Sequence, residues 1–414
     1  MREANTKKNM LWNTIGNGLY YVVQWLMTAW LVERLLPEGG LYRAGLLSTA
    51  ATVANLFIGL AGFGMRNYQV SDWKEEYNDR TYIVSRYGTV GISVLLALIY
   101  TAVVGYDGAQ VWCIVWFLWY KMLEPFSDVF HGVLQKRERL DLVGISYTTR
   151  AILSLTIFAL GLLWTKSLPG TLFTLAVGTT LLVLVFDIRL VSQRENKERT
   201  SKELVFSLLL KCLPLAVYSF LNGASSNIPK LFLEREHGTE VMGLYNLLNA
   251  PVLILQVGMT YLFAPFVTEF SKKLEKKDEK GFRQLAQRVL LLIVGLVAIG
   301  CLACLALGGF ALKVLYSDPS VAEHKNLLYG MLLCVGVSSA SIFLGMVLTV
   351  LREMRGLLVS NGVAIVASLL LSAWLVPRYG MNGTTIATAL SLAIQCMIMV
   401  VFGQMTLKKR CVEE

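Results

Sequence analysis

The stretch Val111 to Leu134, VWCIVWFLWYKMLEPFSDVFHGVL, decides the fold. It is apolar and rich in tryptophan, yet Lys121, Glu124, Asp128 and His131 thread through it at spacings of three and four, and Gln135 continues the series. At about 100° per helical residue the five side chains fall within an arc of roughly 80°, which predicts a helix with one polar face and a greasy remainder. A charge on the lipid side of a bilayer helix costs at least ~2.5 to 3.5 kcal/mol, so ionisable groups in register imply a wet or paired interior. Pro125 lacks an amide hydrogen and predicts a kink beside the carboxylates, with a carbonyl turned to the cavity.

Outward from this stretch the same texture recurs. Hydrophobic residues make up 55% of the 414 positions and charged residues only 16%, with mean hydropathy +0.57. Soluble domains carry about 25% charge and do not string together apolar runs of 18 or more residues. Twelve spans are expected, near 10–33, 43–65, 81–104, 110–133, 143–165, 169–191, 205–228, 240–268, 286–312, 326–350, 356–376 and 382–406. The fold class expected is an all-α integral membrane protein, with about twelve transmembrane helices in two six-helix halves.

The links are short, and alternate ones are basic. Of the 38 Lys and Arg residues, 29 group with the N-terminus, the links after even-numbered spans and the C-terminus. Arg34, Arg43, Lys166, Lys230, Arg235, Lys313, Lys325 and Arg378 lie opposite, and Lys121 is intramembrane. The positive-inside bias places both termini in the cytoplasm. The organisation expected is a cytoplasmic N-terminus over 1–9, a six-helix lobe over 10–192, a basic cytoplasmic linker over 193–204, a second six-helix lobe over 205–407 and a cytoplasmic tail over 408–414. Asn13, Asn17 and Gln24 interrupt the first span, so it is not read as a cleaved signal.

The net charge of +10 sits mostly in these links, so nucleic acid is not expected as a partner. The run Lys272, Lys273, Lys276, Lys277, Lys280, Arg283 is read as a topology determinant, or as a grip on anionic headgroups. Seven cysteines and three histidines show no metal-ligand spacing, and Cys301 with Cys304 is a lone CxxC in an apolar helix. No metal, cofactor or disulfide framework is expected.

Further polar stripes mark candidate lining residues. Asn13, Asn17, Tyr20, Gln24 and Thr28 share one face of the first span; Tyr218, Asn222, Ser225 and Ser226 share one of the seventh; Asn246, Asn249, Gln256 and Thr260 share one of the eighth. Two stripes in each half suit the substrate path of a duplicated transporter. The alternative reading of the amide stripes is interhelical hydrogen bonding, worth ~0.6 kcal/mol per contact on average. Within the charged stripe Lys121 and Glu124 are one turn apart and neutralise each other, with Asp128 and His131 doing likewise, or else the carboxylates titrate during transport. Glu124, Asp128 and His131 are the candidate ion-coupling groups. Asp187, near the end of its span beside Arg189, is read as snorkelling to the interface.

Three segments carry a family resemblance: GFGMRNYQVSDW from Gly62 to Trp73 and on through Tyr82 to Arg86, EPFSDVFHGVLQKRERLDLVG from Glu124 to Gly144, and IPKLFLEREHGTEVMGLYN from Ile228 to Asn246. In these the chain resembles the polysaccharide-repeat flippases of the O-antigen and capsule (Wzx) type. They belong to the multidrug/oligosaccharidyl-lipid/polysaccharide (MOP) exporter superfamily, which also holds multidrug extruders and the lipid flippases of peptidoglycan synthesis. The resemblance implies a carrier in the cytoplasmic membrane that moves undecaprenyl-diphosphate-linked oligosaccharide for surface polysaccharide assembly. Its implied partners are that lipid, the membrane lipids, and the polymerase and chain-length machinery. On that reading Arg66, Lys121 and Lys230 are candidate diphosphate contacts, since fixed cations suit phosphate oxygens. The chain departs from the peptidoglycan flippases in having no room for two further helices. It departs from many multidrug extruders in placing amides, not an acidic residue, within the first span. An integral membrane polymerase or acyltransferase is the remaining alternative. The external links hold no acid, base and nucleophile that match one, so no catalytic residue is assigned.

Overall fold

A computed structural model describes residues 2–36, 39–72, 76–192 and 200–412. These residues are helical throughout, with short turns between. In chain order the helices are α1 (Arg2–Leu26), α2 (Val32–Leu35), α3 (Gly40–Gly62), α4 (Met65–Ser71), α5 (Asp79–Val104), α6 (Gly108–Lys136), α7 (Leu140–Thr165), α8 (Leu168–Leu182) and α9 (Ile188–Ser192). They continue as α10 (Lys202–His237), α11 (Thr239–Glu275), α12 (Glu279–Leu315), α13 (Pro319–Glu323), α14 (Leu327–Val350) and α15 (Met354–Val412). A π-helical turn joins α1 to α2 over Met27–Leu31, and another joins α8 to α9 over Val183–Asp187. α15 is two helices, broken at Gly380, where φ is +53° and ψ −126° and only glycine sits without strain.

Each expected span therefore falls on a helical segment, six before residues 193–204 and six after. Eight of the helices, α15 counted once, are long and apolar enough to cross a membrane. The linker residues 193–199, together with Trp73 and Lys74, lie outside the described residues.

Side-chain caps fix several helix starts. Asn78 accepts from the Thr81 amide and Asp107 from the Gln110 amide, and Gln110 closes a capping box. Ser167 begins α8 with Pro169 in its first turn, and Asp278 begins α12.

The chain divides into two compact units, Met1–Gly223 and Ala224–Glu414, with the seam inside α10. In the first unit α1 packs along α7, α3 along α6, and α8 against α6 and α7. Glycine sets the α1–α7 crossing. A Cβ on Gly16 would lie 2.2 Å from the carbonyl oxygen of Gly144, and one on Gly144 would lie 2.2 Å from that of Trp12. The early part of α10 joins this unit, where Gly59 of α3 meets the backbone of Ser219 and Tyr77 hydrogen-bonds Ser207 at 2.9 Å.

In the second unit α14 packs between α11, α12 and α15. Buried polar contacts tie it together: Ser368 Oγ donates to the Ser225 carbonyl at 3.1 Å, and Gln395 Nε2 to Asn361 Oδ1 at 2.9 Å. His237 contacts the Val376 carbonyl at 2.9 Å, beside the break in α15.

Candidate functional site

The helix α6 runs unbroken through Pro125, about 44 Å at 1.5 Å per residue. Trp112 and Trp119 stand exposed on its apolar side. On its polar side Lys121 pairs with Glu124 one turn away. Tyr20 Oη of α1 donates to the same carboxylate, so Glu124 is held from two helices. One turn further along α1, Gln24 donates to Tyr120 Oη, which in turn contacts Ser154 Oγ of α7 at 3.4 Å. Below them Arg66 of α4 pairs with Asp128 and donates to Gln135 Oε1 at 2.9 Å. These four ionised side chains keep 13 to 27% of their surface exposed, enough for water or ligand to reach them.

His131 leaves the stripe. Only 1% exposed, it contacts Ser146 Oγ of α7 at 3.1 Å and lies 3.7 Å from Asp187. Asp187 accepts from Ser146 Oγ at 2.5 Å and from Arg150 at 3.1 Å, and Arg150 also donates to Ser127 Oγ of α6. Two expectations are corrected here. His131 does not neutralise Asp128, whose partner is Arg66. Asp187 does not snorkel: it is 1% exposed. The π-helical turn that ends on Asp187 shifts the register of the following face by one residue and turns the carboxylate inward. Arg150, which the topology count assigns to a basic link, is fully inside the unit as its partner. Arg86 is likewise buried, where it donates to the carbonyls of Ala61 and Gly62 at 2.6 Å and caps the C-terminus of α3.

The Arg150–Asp187 pair is the feature that sequence reasoning missed. Its signal was depth: Arg150 stands about two turns inside one end of the fifth span, and Asp187 about one turn inside the same end of the sixth. Two opposite charges set inside the same end of adjacent spans are candidates for each other.

The amides of α1 divide. Tyr20 and Gln24 reach α6, while Asn17 Nδ2 bonds the Asn13 carbonyl and side chain along α1 at 2.8 and 3.0 Å. Asn222 lies on the part of α10 within the first unit. The second unit holds Lys230, Asn246, Asn249 and Gln256. Gln256 Nε2 donates to Ser338 Oγ of α14 at 2.6 Å, and Asn249 is buried. The side chain of Thr260 is outside the description. Lys230 is half-buried near Cys334 of α14, with no carboxylate in salt-bridge reach among the described residues. Nearby, Tyr245 Oη accepts from Thr385 Oγ1 at 3.4 Å. Among the described residues no three His, Cys, Asp or Glu side chains gather as a metal site.

Long apolar helices with paired charges between them define a multi-pass α-helical membrane protein. Its fold is that of the MOP superfamily. An inward-facing multidrug resistance MATE transporter of that superfamily superposes with a TM-score of 0.71, at 11% identity over 97% of this chain and 98% of the other. The Vibrio cholerae MATE transporter VcmN in its bent form gives 0.61, at 15% identity over 99% and 98%. The profile of the family described as "Polysaccharide biosynthesis protein" matches residues 6–271, and the chain belongs to that family. It is also 24% identical over 396 residues to the capsular polysaccharide biosynthesis protein CapF of Staphylococcus aureus, covering 93% of this chain and 96% of the relative.

Proposed function

We propose that this protein is a flippase for undecaprenyl-diphosphate-linked oligosaccharide repeat units, carrying them across the cytoplasmic membrane by alternating access for surface polysaccharide assembly. Both termini would lie in the cytoplasm. The observation that carries the reading is the partly buried belt of ion pairs on the polar face of α6, within a family named for polysaccharide biosynthesis. A diphosphate leaving water needs cations already held in the membrane. Lys121 and Arg66 would exchange Glu124 and Asp128 for phosphate oxygens. Lys230 needs no exchange, since no carboxylate among the described residues lies in salt-bridge reach of it. Asn13, Asn17, Tyr20, Gln24, Asn222, Asn246, Asn249 and Gln256 supply neutral donors and acceptors suited to sugar hydroxyls.

Glu124, freed from Lys121 when substrate arrives, is the first choice for ion coupling, ahead of Asp128. His131 sits behind them, where it would tune the network and not meet the ligand. No residue is assigned a catalytic role, and the polymerase and chain-length machinery are the proposed downstream partners. The MATE-like fold favours a second reading, a cation-coupled multidrug exporter.

The test is leaflet accessibility of the lipid-linked oligosaccharide in cells lacking the gene, with and without its restoration. Accumulation on the cytoplasmic face, relieved by the gene, is expected. If the repeat unit still reaches the outer face and only drug sensitivity changes, the exporter reading replaces this one. In the same assay Lys121→Ala and Glu124→Ala should each abolish relief while the protein still inserts, because each strands its partner's charge. A functional Lys121→Met/Glu124→Leu double variant would refute both roles.

A further inference from the structure

The hairpin formed by α11 and α12 is longer than a membrane requires. Each helix has 37 residues, about 55 Å, against a hydrocarbon thickness of about 30 Å. In α12 no charged residue falls between Arg288 and Lys313, so the apolar run fills the bilayer and the ten residues before it, Glu279 to Arg288, project some 15 Å further. The end of α11 from Glu269 projects beside them.

This projection is a fixed structure. The ring of Phe270 packs 4.7 Å from Phe282 across the hairpin and 5.8 Å from Phe343 of α14. The turn is closed by the Lys276 and Asp278 amides, which donate to the carbonyls of Lys272 and Lys273, and by Asp278, which caps α12 through the Gly281 amide.

The projecting end bears seven cations, Lys272, Lys273, Lys276, Lys277, Lys280, Arg283 and Arg288, against four carboxylates. Within the hairpin Lys273 is answered by Asp278 at 3.6 Å and Arg283 by Glu279 at 2.5 Å. Lys272, Lys276, Lys280 and Arg288 are exposed and form no ion pair among the described residues. At 100° per residue Lys280, Gln284 and Arg288 stand in line with Leu291, Gly295, Ile299 and Leu302. The leucines and the isoleucine are exposed, and a Cβ at Gly295 would meet nothing within 4 Å. One face of α12 thus carries cations at and just above the headgroup layer and, below them, an apolar strip with an open notch.

We propose that this end of the α11–α12 hairpin is a binding surface for anionic phospholipid. Lys272, Lys276, Lys280 and Arg288 take the headgroup phosphates, and the strip from Leu291 to Leu302 takes an acyl chain. The inference is independent of what the protein transports. A soluble acidic partner would have no use for the strip, and a zwitterionic lipid would have none for four unanswered cations.

The test is lipid retention by the full-length protein, purified in detergent, incubated with phosphatidylglycerol or phosphatidylcholine and separated by size exclusion. The wild type should retain phosphatidylglycerol in preference. Each cation near a charged surface is worth roughly a factor of five in affinity, so the Lys272→Gln/Lys276→Gln/Lys280→Gln/Arg288→Gln variant should bind it at least tenfold more weakly, with phosphatidylcholine retention unchanged. Unaltered phosphatidylglycerol retention in a monodisperse quadruple variant overturns the proposal, as does equal retention of the two lipids by the wild type. Should that variant not fold, the wild type decides the matter. Raising salt from 50 to 500 mM screens the exposed cations and should release phosphatidylglycerol; retention that does not fall overturns the proposal. Retention of added undecaprenyl diphosphate where phosphatidylglycerol is not retained would make the site one for lipid diphosphate instead.

Discussion

Arg150 and Asp187 are each about 1 to 2% exposed, so neither charge has water to turn to if the other is removed. Replacing a buried pair with apolar groups is often neutral, whereas breaking one costs about 3 to 5 kcal/mol. Arg150→Met and Asp187→Leu should therefore each lower the thermal midpoint of the detergent-solubilised protein sharply, and the double variant should recover most of the loss. Fluorescence-detected size exclusion after heating reads this directly, and single variants as stable as the wild type would remove the pair from the core. Sequence spacing made Lys121 and Glu124 legible as partners because they share one turn of one helix. It could not assign Asp128 to Arg66, 62 residues away on another helix. An arc of 80° is also wide enough to face two neighbours, which is why His131 shares the stripe in sequence but looks toward α7 in the fold.

Among the elements, α1 and α7 depend on the absence of a side chain at their crossing. Gly144→Val should push them apart, since its Cβ would meet backbone atoms that no rotamer change can move aside. Loss of folded protein on size exclusion is the expected result. Gly18, on the same helix as Gly16, has nothing within 4 Å of its Cβ position. Gly18→Ala should be tolerated or stabilising by up to about 1 kcal/mol, from helix propensity alone. If both variants behave alike, the crossing is not set by glycine. Span positions were legible because twenty apolar residues in a row have few alternatives in water or lipid. The π-helical turns were not, because a single extra residue in a helical turn leaves no mark on apolar periodicity, and the inward face of Asp187 depends on one of them.

For the whole molecule, the basic links make a claim about orientation that fusions can check. A fluorescent protein at the C-terminus should glow, and alkaline phosphatase there should be inactive. Alkaline phosphatase inserted beside Lys325, in a link on the opposite side, should be active. The reverse pattern would invert the topology. The all-α membrane fold was readable from composition and the order of the apolar runs, and the family from the resemblance of three segments. The seam inside α10 was not, because compactness depends on which side chains meet, such as Tyr77 with Ser207.

The three ion pairs Lys121–Glu124, Arg66–Asp128 and Arg150–Asp187 have an electrical consequence. One elementary charge crossing the membrane potential is worth about 2.3 kcal/mol per 100 mV, but a cation and carboxylate that travel together carry no net charge through the field. Voltage therefore has little purchase on these groups while the protein is empty. Under the proposed function it would acquire one when a doubly ionised ligand displaced a carboxylate, so that the driving force entered with the cargo and not with the carrier.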